Sequence, residues 1–216
     1  HLSIRRQRQM CIRDSVERMI LSPEDGILLP AFLFRPAQPQ ETAYLYVHGE
    51  GKEADAGVGG PVEALALDRH LVLDLDLRGV GDPDTGKIHR NFFLAYKLGK
   101  TYLGMRTEDI LVCARFLASL DSCATPYQVH LVGIGEAGPA ALHAAALQPE
   151  LFAAVTLRRS LTSWADLVRE PEAPLSHLVN MVHGALKIYD LPDLVASLPA
   201  EKITIEQPVD ALGRPV

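Results

Sequence analysis

Cysteine is scarce: Cys11, Cys113 and Cys123 are the only three in 216 residues. Their number is odd and no C-x-x-C pair occurs, which argues against a disulfide framework and against zinc or dithiol spacing. Reduced thiols in a reducing, cytoplasm-like compartment are the expectation. Long apolar runs are also lacking. None reaches the ~20 residues that span a bilayer, and no secretory apolar core opens the chain. Nor is there an excess of cations. The formal net charge is −6, and segment 1–15, with Arg5, Arg6, Arg8 and Arg13 against Asp14, holds a net +3 of it, so the remainder stands at −9. An acidic body without a basic stripe argues against nucleic acid as a partner. Internal repeats and low-complexity segments are absent too. What is present, 48% hydrophobic and 22% charged residues, suits one soluble globular domain with a substantial core.

The opening "HLSIRRQRQMCIRDS" (1–15) has no clear apolar period and no initiator Met. It resembles translated sequencing-adapter read-through at the ends of metagenomic gene fragments. It is set apart as an artefact or disordered tail, with a nucleic-acid-binding basic arm as the alternative. The domain is expected to run from 16 to 216. "VERMILS", turn chemistry in "PEDG", and "ILLPAFLFRP" predict an antiparallel hairpin. Strand "TAYLYVHG" (42–49), helix "PVEALALDRH" with Pro61 in its first turn, and strand "LVLDLDL" leading into a polar loop follow. "GMRTEDILVCARFLASLD" (104–121) places Ile110, Ala114, Leu117 and Leu120 on one helical face. Strand, glycine turn and alanine-rich helix come next in "VHLVGIGEAGPAALHAAAL" (129–147), then strand "LFAAVTL" (151–157). Two or three short helices over 162–198 and a strand in "EKITIEQ" (201–207) complete the pattern. Strands alternating with helices predict an α/β fold with a mainly parallel sheet covered on both faces.

The turn Gly133-Ile134-Gly135-Glu136-Ala137-Gly138 supports two readings. It has the shape of a G-x-S-x-G nucleophile elbow with glycine at the apex. It also spells G-x-G-x-x-G after a strand and opening a helix, the context of a dinucleotide pyrophosphate site. On that second reading Arg158 and Arg159, at the end of the next strand, suit NADP rather than NAD.

The order of landmarks separates the two. His48-Gly49 ends one strand; Asp76-Leu77-Arg78-Gly79-Val80-Gly81 ends the next. The strand–turn–helix follows after a long helix, and Asp210 lies just past a later strand. This order resembles the α/β-hydrolase superfamily over essentially all of 16–216. "HGEGK", "RTEDIL" and "SLTSWADLV" look most like the acetyl xylan esterase and prolyl-oligopeptidase-related branch. The resemblance implies an oxyanion site from the backbone of Gly49 and Glu136, a nucleophile at position 135 and a triad acid at Asp210. The triad histidine would follow an eighth strand, beyond Val216, so the final strand and helix are expected to be missing. Gly135 has no side chain to act as a nucleophile. The expected role is therefore a non-catalytic domain related to carboxylic-ester hydrolases. It would sit beside an intact hydrolase domain of the same native polypeptide, or take a small-molecule or glycan ester. The alternative is an active serine esterase or peptidase, if Gly135 is a sequence error or catalysis lies elsewhere in the gene. Neither implies a cofactor or a metal.

Bland roles stand beside these. Asp210 suits a turn-former, His48 a packed residue of its turn, and Asp76 and Arg78 loop anchors. His143 reads as a satisfied core histidine and Trp164 as a packing anchor. Ser160 and Ser163 lack elbow glycines. His177 and His183, six apart, face different helix sides and give no metal-ligand spacing. Glu136 is favourable at a helix start for dipole reasons alone.

Overall fold

A computed structural model describes residues 2–10, 15–84, 86–120 and 126–216. Eight strands form one sheet: β1 (Ser3–Met10), β2 (Ser15–Ser22), β3 (Leu29–Arg35), β4 (Thr42–His48), β5 (Leu71–Leu75), β6 (Gln128–Ile134), β7 (Phe152–Arg158) and β8 (Ile203–Glu206). Their spatial order is β1-β2-β3-β5-β4-β6-β7-β8. β1 to β3 are antiparallel neighbours and β3 runs antiparallel to β5; the other neighbouring pairs are parallel. The expected hairpin is β2–β3. β1 stands in the segment to which no element had been assigned. It pairs with β2 from Ser3↔Ser22 to Met10↔Ser15, a backbone ladder that needs no apolar period. Residues 11–14 of the same segment lie outside the described residues, as does Cys123.

Helices cover both faces. α1 (Pro61–Leu67) packs Val62 and Ala66 on Phe34, Tyr46, Val72, Val132 and Ile134. α3 (Tyr102–Ala118), α4 (Gly138–Leu147), α5 (Trp164–Arg169) and α6 (Leu191–Ser197) lie over the larger core on the opposite side. The face read from the sequence in α3 is buried at Ile110, Ala114, Leu117 and Leu120. The helix begins two residues earlier than expected, because the Thr101 hydroxyl accepts a hydrogen bond from the Gly104 amide, 3.0 Å, and caps it. α2 (Ile88–Lys97) had no counterpart in the sequence reading. Its N-cap, Lys87, makes no side-chain cap and Ala95 is its one buried residue. It forms by docking Ile88 and Phe92 on Tyr102, Met105 and Val179. No helix among the described residues is long and apolar enough to cross a membrane.

The chain leaves β4 toward β5 on one side of the sheet and returns through β6 on the other. The carboxyl ends of β4 and β6 therefore flank a topological switch point, where open α/β sheets leave a crevice. His48 ends β4 and Ile134 ends β6, paired across it.

Candidate functional site

At that crevice β6 turns abruptly into α4 through a single 3-10 turn, Gly135–Ala137. Gly135 lies at the apex with φ +58°, a left-handed conformation that side chains rarely adopt, and a Cβ there would meet nothing within 4 Å. The neighbours of the apex are crowded instead. A Cβ on Gly133 would stand 2.6 Å from that of Ala141, and one on Gly138 would overlap Ser160. The turn thus has the strained, tightly backed build of an elbow that holds its apex out into space.

The apex opens on a cavity of about 450 Å³. Its walls come from the β4 turn (His48, Gly49, Glu50), the elbow (Gly135, Glu136), the start of α4 (Pro139) and the end of β7 (Arg159, Leu161). The segment after α5 closes it with Pro174, Ser176, His177 and Asn180. The Glu136 amide precedes the first hydrogen bond of the turn, which runs from Gly138 N to the Gly135 carbonyl. Gly49 touches it closely: a Cβ on Gly49 would lie 2.7 Å from Glu136 N. The expected pair of oxyanion residues is therefore brought together. The Gly49 amide, however, donates to the Ile134 carbonyl at 3.0 Å. That amide is committed to holding β4 and β6 together at their ends, a correction to the role the resemblance implied for it.

Asp210 is not part of the cavity wall. Its carboxylate accepts from the Leu212 and Arg214 amides, 2.8 and 2.9 Å, and from the Arg214 guanidinium, 2.8 Å at Nε and 2.7 Å at Nη2. The Arg214 side-chain hydrogen bond, followed by that of its amide, holds this carboxyl below its ordinary range. Asp210 closes its own five-residue turn, as its alternative reading anticipated.

His48 is 4% exposed. Its Nδ1 accepts from the Glu50 amide at 3.0 Å, and Arg159 Nη2 lies 3.3 Å from Nε2. Burial lowers its pKa, partly opposed by Asp55 and Glu50 and reinforced by Arg159. Burial thus disfavours the charged form of His48, and contacts at both ring nitrogens fix the ring in its turn. His177 points a ring nitrogen at the Ala211 carbonyl, 3.2 Å. Behind the wall, Arg106 is almost wholly buried and donates to the Arg78 carbonyl, 3.1 Å, and toward Asn180 Oδ1, 3.4 Å. Trp164 Nε1 fixes the same Asn180 through its carbonyl, 2.9 Å.

The loop-anchor reading of Asp76 and Arg78 holds, with different partners for each. Asp76 accepts from the Lys52 amide, 2.7 Å, from Lys52 Nζ, 3.0 Å, and from the Asp82 amide, 3.0 Å. It ties the loop after β4 to the loop after β5. His143 is held at Nδ1 by the Pro139 carbonyl, 2.7 Å, and at Nε2 by the Tyr189 hydroxyl, 3.1 Å, a satisfied core histidine. No group of three metal-ligating side chains occurs among the described residues. The part of the site that sequence reasoning missed is Arg159, at φ +51° on the cavity wall. Its only signal was a pair of adjacent arginines at the carboxyl end of a strand, and that pair had suggested a nucleotide phosphate.

By sequence the chain matches no family model and no curated protein. By structure it resembles a protein of Bacteroides fragilis assigned as an acetyl xylan esterase, with a TM-score of 0.78 at 12% identity over 95% of this chain and 62% of that one. Acetyl xylan esterase 1 from a Thermoanaerobacterium species gives 0.58 at 16% identity, over 95% and 78%. A cold-adapted esterase from an Arctic intertidal metagenomic library gives 0.61 at 14% identity, over 96% and 90%. The chain thus spans less than two thirds of the first of these proteins. The fold is that of the α/β-hydrolases, of the kind found in acetyl xylan esterases. The H-G turn, the D-x-R-G-x-G turn, the elbow and Asp210 follow β4, β5, β6 and β8.

Proposed function

We propose that this α/β-hydrolase domain binds an acyl ligand at its elbow cavity without turning it over. One observation carries the reading: the apex of the elbow is Gly135, with open space where a nucleophile's side chain would stand. The remaining parts agree with it. Asp210 is held by Arg214 rather than directed at a histidine, and His48 gives Nδ1 to a backbone amide. Acyl transfer by nucleophile and base needs both groups within hydrogen-bond reach of each other. The ligand class, a carboxylic ester or its acid, follows from the esterases that share the fold. Such a domain would serve an intact hydrolase domain of the same native polypeptide by holding or presenting its ligand. Of the two arginines on which the nucleotide reading rests, Arg158 is paired with Glu206 at 2.7 Å, and Arg159 alone lines the cavity.

A second reading keeps one specific observation in its favour. A Cβ at Gly135 meets no atom within 4 Å, so the turn would admit a serine, and the full gene then encodes a working esterase or peptidase. Stopped-flow hydrolysis of 4-nitrophenyl acetate separates the two. The non-catalytic reading expects no burst and a steady rate no faster than free imidazole produces. A burst of one nitrophenol per chain would establish the second reading.

A further inference from the structure

His48 poses a problem of valence. Each of its ring nitrogens faces an N–H donor: Nδ1 the Glu50 amide at 3.0 Å, Nε2 the Arg159 guanidinium at 3.3 Å. A neutral imidazole has one nitrogen lone pair to offer, and an imidazolium has none. In every protonation state, at least one of these contacts sets donor against donor. The Glu50 amide is fixed by the backbone and is the nearer of the two, so it takes the lone pair of Nδ1. Nε2 then carries the proton. Its N–H and an N–H of Arg159 then face each other at 3.3 Å on the cavity wall, with no acceptor between them among the described residues.

Arg159 bears the same mark. It makes no ion pair among the described residues, whereas its neighbour Arg158 pairs with Glu206. Its backbone lies at φ +51°, a left-handed conformation that is strained for a non-glycine residue and collects at ligand sites. The guanidinium lies beside a ring that is 4% exposed, on the wall of a cavity of about 450 Å³. Two opposed donors, one of them a permanent cation and the other on a buried ring, lack only an acceptor that carries charge.

We propose that His48 and Arg159 clamp the carboxylate of a small organic acid in the elbow cavity. One carboxylate oxygen accepts from His48 Nε2–H and the other from the Arg159 guanidinium. A carboxylate is acceptor-only with two oxygens, and it removes the donor–donor conflict by parting the guanidinium from the ring and bonding to both. The acid carries a single negative charge, because Glu50 and Glu136 line the same cavity; a dicarboxylate or phosphate would meet them. Its body is apolar and fits among Pro139, Leu161, Pro174 and Val209. The inference deepens the reading of the site as one that binds without turnover, and it names the bound species as the free acid rather than the ester.

Benzoate tests this, with methyl benzoate as the uncharged probe of the same shape. The whole chain, labelled with nitrogen-15, is titrated while the His48 ring resonances are followed by NMR. The expected result is a saturable shift at Nε2 with benzoate, half complete below roughly 10 mM, and no comparable shift with methyl benzoate. Arg159→Asn keeps a residue that tolerates the left-handed backbone and removes the charge. It is expected to weaken benzoate about tenfold while leaving the amide spectrum folded. Equal shifts from ester and acid, an unchanged affinity in Arg159→Asn, or no saturable shift would each overturn the clamp. Ester hydrolysis is measured separately on 4-nitrophenyl acetate. A burst there defeats the non-catalytic reading, while the benzoate titration alone decides the clamp.

Discussion

The Arg78 guanidinium grips the Asp109 carboxylate at two points, Nε to Oδ2 at 2.7 Å and Nη2 to Oδ1 at 2.5 Å. The carboxylate is fully buried in α3, and the arginine rises from the loop after β5. A third contact, Arg78 Nη1 to Glu24 Oε1 at 2.9 Å, reaches the turn between β2 and β3. Three parts of the chain, remote in sequence, are tied together by one side chain. The bidentate geometry is specific to arginine.

Removing one partner of that pair leaves a buried charge uncompensated. Arg78→Leu is expected to lower the unfolding free energy by about 3–5 kcal/mol. Replacing both, as Arg78→Met with Asp109→Leu, costs less than the single change, since the double variant buries no lone charge. Urea unfolding of the three proteins measures the difference. A double variant weaker than Arg78→Leu would contradict the account.

Asp74 is 1% exposed on the α1 face of β5, and neither of its carboxylate oxygens makes a hydrogen bond of ordinary geometry. Burial, reinforced by the nearby Asp76 and Asp55, pushes its pKa up to about 8. The unfolded chain ionises this group near pH 4. Asp74's contribution to stability is therefore fully present below that value and is lost progressively as pH rises to about 8. Asp74→Asn, which cannot ionise, should escape this loss. Thermal melts at pH 4, 6 and 8 are expected to show the variant gaining on the parent at each step, by up to about 1.4 kcal/mol per pH unit. A constant difference across that range would exclude Asp74 as the titrating group.

Strand positions were legible from the sequence because buried parallel strands are nearly continuous apolar runs, as in "LVLDL" and "VHLVGI". The glycine turn was legible because Gly133 and Gly138 are required by close contacts with Ala141 and Ser160. α2 was passed over although Ile88, Phe92 and Ala95 fall on one helical face, because no side chain caps its start and its apolar partners, Tyr102 and Val179, meet it only in the folded chain. Within the site, position 135 could be read from local order alone. The commitment of the Gly49 amide to Ile134 and the meeting of Arg159 with His48 join residues 85 and 111 apart in sequence. Such pairings exist only once the sheet is assembled.

Gly135→Ser would place a hydroxymethyl group in open space at the apex. It would still lack a partner base, because His48 Nδ1 is bonded to the Glu50 amide and Asp210 is held by Arg214. The variant is expected to show no gain in hydrolysis of 4-nitrophenyl acetate. It should also lose about 1 kcal/mol of stability, because serine is strained at φ +58°. A rate rise of more than about a hundredfold would show that a working base already faces the apex.

Cys113 is fully buried in α3, and burial, with a contribution from Asp109, pushes its thiol well up. Thiolate is the reactive form. In the native protein this cysteine is expected to resist iodoacetamide at pH 8 and to react on unfolding, as read by peptide mass mapping. Native-state labelling of Cys113 would show that α3 opens locally.

The most direct test of the central claim is intact-mass analysis after exposure of the native chain to a fluorophosphonate, which labels activated serine nucleophiles. An elbow cavity that binds without turnover predicts an unchanged mass. An adduct of one fluorophosphonate per chain would reveal an activated nucleophile and contradict the account.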